Sequence, residues 1–115
     1  ARFLYNRRMA EKGESFTDRV KRLIAGIPSG KVATYGQIAA CAGNHRASRQ
    51  VAWLLHSSSR KDRLPWHRVI SSKGVISLPG EGGRIQRQLL EQEGIRVGSG
   101  GEVPLEVYGW QPDGP

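Results

Sequence analysis

The sequence predicts a small, mainly helical domain with a β wing, arranged as a winged helix-turn-helix. Three observations predict it. Apolar residues recur at helical spacing in four separate stretches. Two of those stretches are joined by a short turn at Gly43, and the second carries a basic outer face. Two β-branched pairs, Val69-Ile70 and Val75-Ile76, flank a polar turn at Ser71-Ser72-Lys73-Gly74, the pattern of a small hairpin.

Residues 1–14 are polar and basic, with Phe3, Leu4 and Tyr5 as their apolar cluster, and read as a tail. The folded domain is expected over residues 15–112. Phe16, Val20, Leu23, Ile24 and Ile27 set the first helix, with Ser15 and Asp18 as its capping pair. Pro28-Ser29-Gly30 ends it in a turn. Lys31-Val32-Ala33 is a short extended link. Thr34 and Gln37 form a capping box, in which the hydroxyl accepts from the Gln37 backbone and the Gln37 side chain reaches back. The second helix carries Ile38, Ala39, Cys41 and Ala42 and stops at Gly43. A third begins near Arg46 and turns Ala47, Val51, Leu54 and Leu55 inward, leaving Arg46, Arg49, Gln50 and Trp53 on other faces.

Ser57-Ser58-Ser59-Arg60-Lys61-Asp62-Arg63 is expected to be a polar connection, and its Arg60, Lys61 and Arg63 join Lys31, Arg46, Arg68 and Lys73 as candidate phosphate neutralisers. Leu78-Pro79-Gly80-Glu81-Gly82-Gly83 is expected to be a flexible loop. Ile85, Leu89 and Leu90 mark a fourth helix ended by Gly94. Ile95 and Val97 return to the core, residues 98–101 form a hinge, and Leu105, Val107, Tyr108 and Trp110 dock a final apolar stretch on the domain.

The bulk numbers bound the function. A chain of 115 residues suits one core. Its 18 Lys and Arg against 10 Asp and Glu give a net charge of +8, so a polyanion is the fitting partner and DNA the commonest one. No apolar run approaches the roughly 20 residues that span a bilayer, and no secretory signal pattern opens the chain. One cysteine, Cys41, excludes an internal disulfide and offers no metal-site spacing, which fits a reducing cytoplasm. No cofactor is expected.

The most informative run is Pro65-Trp66-His67-Arg68-Val69-Ile70. Together with residues 27–39 (Ile27-Pro28-Ser29-Gly30-Lys31-Val32-Ala33-Thr34-Tyr35-Gly36-Gln37-Ile38-Ala39), Arg49-Gln50-Val51 and Leu89-Leu90-Glu91-Gln92-Glu93-Gly94, it resembles the C-terminal domain of the O6-alkylguanine-DNA alkyltransferases. Those proteins carry a cysteine where Trp66 stands and take the alkyl group onto its thiolate. Indole cannot supply that nucleophile. Tryptophan there, and the ending Tyr108-Gly109-Trp110-Gln111-Pro112, resemble the alkyltransferase-like proteins, a non-catalytic branch.

The resemblance implies a sensor that binds O6-alkylguanine in duplex DNA through the minor groove and flips the base out, with no alkyl transfer. Thr34, Tyr35, Arg46, Ala47, Ser48, Arg49 and Gln50 are the implied DNA contacts. Arg49 would enter the duplex and fill the gap, its guanidinium stacking and bonding the orphaned base. Tyr35 would crowd the phosphate beside the target, and Thr34 would add a phosphate contact. Tyr35, Pro65, Trp66, His67, Val69 and Pro79 are the implied pocket. His67 and Glu93 would persist as a structural pair without a proton-transfer role. The implied partners are alkylated duplex DNA and nucleotide excision repair proteins, UvrA-type in a bacterium, bound by a monomer on a cytoplasmic nucleoid.

Two departures stand out. Leu78-Pro79-Gly80 lies where the catalytic family has Tyr-Ser-Gly, leaving Arg84 or the loop backbone to meet the base edge. Ser58 stands where the family has an asparagine. Two alternatives remain open: a helix-turn-helix transcription regulator reading the major groove, and an enzyme, either an alkyltransferase using Cys41 or a glycosylase.

Overall fold

A computed structural model describes residues 14–112. The expected tail falls outside this range except for Glu14. The Glu14 carbonyl accepts from Arg19 Nη1 at 2.7 Å, and its carboxylate accepts from Arg22 Nε and Nη2 at 3.0 and 2.7 Å. The first helix, α1 (Phe16–Ala25), starts as expected, with Ser15 Oγ accepting from the Asp18 amide at 3.1 Å. Ile27 lies beyond its end but is buried.

Strand β1 (Ala33–Thr34) leads straight into α2 (Tyr35–Cys41). Half of the expected capping box forms: Thr34 Oγ1 accepts from the Gln37 amide at 3.0 Å. The other half does not. Gln37 Nε2 donates instead to the Trp110 carbonyl at 2.8 Å, tying the chain's last described stretch to α2.

Helix α3 (Ser48–Asp62) begins later than expected, with Ala47 at its N-cap, and runs much further. The supposed polar connection of residues 57–63 is its last two turns. That run has no Gly or Pro to stop a helix, and Lys21 Nζ grips Asp62 Oδ2 at 2.8 Å. The helix closes on Arg63, which adopts the left-handed conformation (φ 54°), while the Leu64 amide reaches back to the Ser59 carbonyl at 2.9 Å.

A single 3-10 turn (Trp66–Arg68) precedes β2 (Val69–Ile70). The molecule is mainly helical with one small two-stranded sheet, as the sequence predicts. The pairing is not a hairpin, however. Strand β2 runs parallel to β1, with Ala33 opposite Val69 and Thr34 opposite Ile70. The turn at residues 71–74 is present, its Gly74 amide bonding the Ser71 carbonyl at 2.9 Å. Beyond it, Val75 bridges Glu102 and the Ile76 amide bonds the Gly101 carbonyl at 2.9 Å. Residues 98–102 are therefore a hydrogen-bonded turn rather than a hinge.

Helix α4 (Gly80–Gln92) takes over most of the expected flexible loop. Its glycines fit a close approach: a Cβ on Gly83 would collide with the Leu78 carbonyl. The helix is also rotated from the expected register. Ile85 is exposed, and Gln86, at 2% exposure, faces in beside Leu90. A last short helix, α5 (Leu105–Tyr108), leads to Gly109, which bridges Val32. Trp110 packs on the core as expected, but Val107 points to solvent.

Two apolar clusters result. The larger joins α1, α2 and α3 and includes Val20, Ile24, Ile38, Val51 and Leu55. The smaller collects Val32, Ile70, Leu90, Ile95 and Val103. Trp66 packs against the larger cluster, and β2 just after its turn gives Val69 to the larger and Ile70 to the smaller. Among the described residues, no helix is long and apolar enough to cross a membrane, and no cluster of His, Cys, Asp and Glu could hold a metal.

Candidate nucleic-acid interface and cleft

A cleft of about 940 Å³ opens along α3. Tyr35, Ala52, Leu55, Leu64 and Trp66 supply aromatic and aliphatic surface. His56, Ser57, Ser59, Arg60 and Arg63, from the second half of α3, supply polar and basic surface. Leu78 and Gly82, flanking the start of α4, complete the lining.

The Trp66 turn is held from several directions. Its own backbone closes through the Trp66 amide to the Leu64 carbonyl at 2.8 Å and the Arg68 amide to the Pro65 carbonyl at 3.0 Å. The buried Gln86 amide donates to the carbonyls of His67 and Val69, both at 3.1 Å. Arg68 Nη1 donates to the Ile27 carbonyl at 2.8 Å, anchoring the turn to the end of α1. The Trp66 and His67 rings meet edge-on, with centroids 6.2 Å apart and planes at 84°.

Glu93 is the hub behind that turn. Its carboxylate takes His67 Nε2 at 2.8 Å, Arg68 Nη2 at 2.7 Å, Arg68 Nε at 3.0 and 3.2 Å, and the Gly30 amide at 3.2 Å. Burial alone would raise the Glu93 pKa, but the bonds from Arg68, His67 and Gly30 outweigh it and hold the carboxyl down to about 2. An ionised carboxylate only accepts, so the ring hydrogen sits on His67 Nε2. Burial pushes the Tyr35 phenol up, which keeps it neutral and a potential donor.

Tyr35 and Trp66 come together in the cleft lining. The other implied pocket residues do not. His67 turns to Glu93, Pro65 sits at the head of the 3-10 turn, and Pro79 is exposed beside the start of α4, where Leu78 lines the cleft instead. Val69 is a core residue with no exposed surface, because β2 pairs through it with Ala33.

On the outer face, Arg46, Arg49 and Gln50 are exposed at the start of α3, and Ser48 is half-buried. Neither arginine side chain has a bond or ion-pair partner among the described residues. Ala47 turns into the core, so its side chain is unavailable. The Thr34 hydroxyl is engaged by the Gln37 amide. Trp53, one turn beyond Arg49, is 64% exposed and does not pack on the domain. Arg84 pairs with Glu81 on the surface at 2.8 Å and does not line the cleft.

Sequence reasoning missed Gln86 and Leu78, and it offered Arg60 and Arg63 only as phosphate neutralisers, not as part of the cleft. Gln86 had a signal: it stands one turn before Leu90, on the face that Leu90 buries. The arginines were hidden by the expected connection at residues 57–63.

No thiol and no carboxylate line the cleft. Cys41 packs from α2 against the main core. Ser57 Oγ donates to the Leu54 carbonyl at 3.3 Å rather than to a base. The lining thus combines aromatic and aliphatic surface with the cationic residues Arg60 and Arg63.

Residues 15–95 match the family described as the 6-O-methylguanine DNA methyltransferase DNA-binding domain. A protein of Escherichia coli (strain K12) named DNA base-flipping protein is 45% identical over 100 residues, 87% of this chain and 78% of its own length. Alkyltransferase-like protein 1 of Schizosaccharomyces pombe is 37% identical over 105 residues, covering 86% of this chain and 97% of its own. The crystal structure of S. pombe Atl1 in complex with damaged DNA containing O6-carboxymethylguanine matches with a TM-score of 0.75 at 37% identity, over 84% of this chain and 95% of that one.

Proposed function

The chain belongs to the family of the 6-O-methylguanine DNA methyltransferase DNA-binding domain, and from that premise we propose that it is a non-enzymatic sensor of O6-alkylguanine in duplex DNA. The relatives named for base flipping and bound to alkylated DNA support this reading. One observation carries it. Helix α3 bears unpartnered Arg49 on its first turn, with unpartnered Arg46 in the turn just before it, and contributes Ala52 and Leu55 to a cleft lined by Tyr35 and Trp66.

In this reading α3 approaches the minor groove and Arg49 replaces the extruded base in the stack. The base enters the cleft against Trp66 and Tyr35. Extrusion costs a few kcal/mol, and less for a poorly paired damaged base, so damage selects itself in part. The apolar surface adds modest discrimination for alkyl groups. Trp66 offers no thiolate, and His67 is held as a scaffold by Glu93, so the alkyl group stays on the base. The lasting complex, formed by a monomer, then flags the site for nucleotide excision repair. In a bacterium that would be done on the nucleoid with UvrA-type proteins.

The test is a titration of fluorescent duplexes carrying guanine or O6-methylguanine at one fixed salt concentration. Tighter binding to the modified duplex is expected, with affinity for both falling steeply as salt rises. Equal affinity for the two duplexes would overturn the sensor. Sequence-specific binding indifferent to alkylation would favour a transcription regulator.

A further inference from the structure

We propose that the basic side of the cleft, Arg60 and Arg63, holds an oxyanion presented by the extruded nucleotide. This inference rests on the reading of the cleft as the flipped-base site and adds the chemistry of what it accepts.

Four observations carry it. Both residues line the cleft, and neither guanidinium has a hydrogen-bond or ion-pair partner among the described residues. They stand three residues apart where α3 ends, Arg60 in its last turn and Arg63 at its C-cap. No carboxylate lines the cleft to neutralise them. Asp62, which lies between them in sequence, is drawn to Lys21 at 2.8 Å, and nearby Glu81 is paired with Arg84 at 2.8 Å.

The fourth observation is backbone conformation. Arg63 is the one non-glycine residue with positive φ among the described residues, at 54°. A helix ending in the left-handed conformation is ordinarily closed by glycine, which adopts it without strain. Basic residues near a helix C-terminus are commonplace because they complement its dipole. That accounts for Arg60 and Lys61. It does not account for a strained arginine at the closing position, where glycine would serve the helix better. The strain is explained if the side chain has work in the cleft.

The oxyanion has two possible sources: a carboxylate at the end of the O6 substituent, or the backbone phosphate of the flipped nucleotide. Three lesion duplexes separate them: O6-methylguanine, O6-carboxymethylguanine and its neutral isostere O6-carbamoylmethylguanine. A fourth carries O6-methylguanine with a neutral methylphosphonate 3′ to the lesion. Wild type is compared with Arg60→Gln, Arg63→Gly and the double variant. Arg63→Gly is expected to melt no lower than wild type, so a binding loss in it is not a folding loss.

If the adduct supplies the oxyanion, wild type binds the carboxymethyl duplex about 3–10-fold tighter than the carbamoylmethyl one, and the double variant erases that ratio. If the phosphate supplies it, the double variant loses a similar factor on all three charged-backbone lesions. Its loss then vanishes on the methylphosphonate duplex. Wild-type preference for O6-methylguanine over guanine, with the variants matching wild type on every duplex, overturns this inference and leaves the sensor standing. No preference for any lesion over guanine overturns both.

Discussion

The buried Gln86 amide donates to the carbonyl oxygen of His67 at 3.1 Å and so pins the turn that carries Trp66 to α4. A second bond from the same nitrogen reaches the Val69 carbonyl, also at 3.1 Å. No other polar side chain is as deeply buried among the described residues. Replacing Gln86 with Leu keeps most of the volume but leaves two carbonyls without their donor. The expected cost is about 1–3 kcal/mol, read as a lower urea midpoint with unchanged m-value. An unchanged midpoint would mean that the amide bonds contribute nothing.

Glu93 predicts the acid limb of stability. Its folded pKa of about 2 lies below the ordinary 4.5, so the folded state binds this proton less readily than the unfolded chain does. The stabilisation is complete above pH 4.5 and drains away as pH falls towards 2. Its side chain is 14% exposed, and the shift corresponds to about 3 kcal/mol. Glu93→Gln should lose about that much at neutral pH, leaving Arg68 without its carboxylate. The variant's unfolding free energy should also be flatter than wild type's between pH 4.5 and 2. Parallel acid limbs in the two proteins would remove Glu93 from the account.

Arg49 separates binding from folding. It is exposed, and no described residue partners its side chain. Arg49→Ala should therefore change the unfolding free energy by less than about 0.5 kcal/mol. On an O6-methylguanine duplex its affinity should fall about tenfold or more, well beyond its loss on undamaged DNA. A loss equal on the two duplexes would reduce Arg49 to a phosphate contact.

The sequence was most legible where side-chain pattern and backbone chemistry agree. Ser15 and Thr34 cap the helices as expected because a hydroxyl before a helix has few better uses. The inward set Ala47, Val51, Leu54 and Leu55 follows directly from helical spacing. What the pattern hid was set by contacts distant in sequence. Val69 pairs in parallel with Ala33, 36 residues earlier, so β2 could not be told from a hairpin strand by local reading. Polar residues 57–63 continue a helix because Leu54 and Leu55 already anchor it and Lys21 holds its end. The glycine-rich start of α4 looks like a loop, yet glycine is what lets Gly83 pass the Leu78 carbonyl. In the site, Trp66 and the His67–Glu93 pair were legible from motifs. Arg60 and Arg63 were legible only as basic candidates for phosphate, since their place in the cleft depends on the unrecognised helix.

Cys41 gives the chemical test. It is the chain's sole thiol, it lies at the end of α2 against the main core, and it does not line the cleft. Alkyl transfer needs a thiolate at the base, and Cys41 packs against the core away from the cleft that would receive that base. Incubation with DNA bearing O6-[³H-methyl]guanine should leave all label in the DNA, with no free base released. Cys41→Ser should match wild type in lesion affinity. Tritium on the protein that disappears in Cys41→Ser would make this chain an alkyltransferase after all, with a nucleophile reached only by opening the packing between α2 and its neighbours.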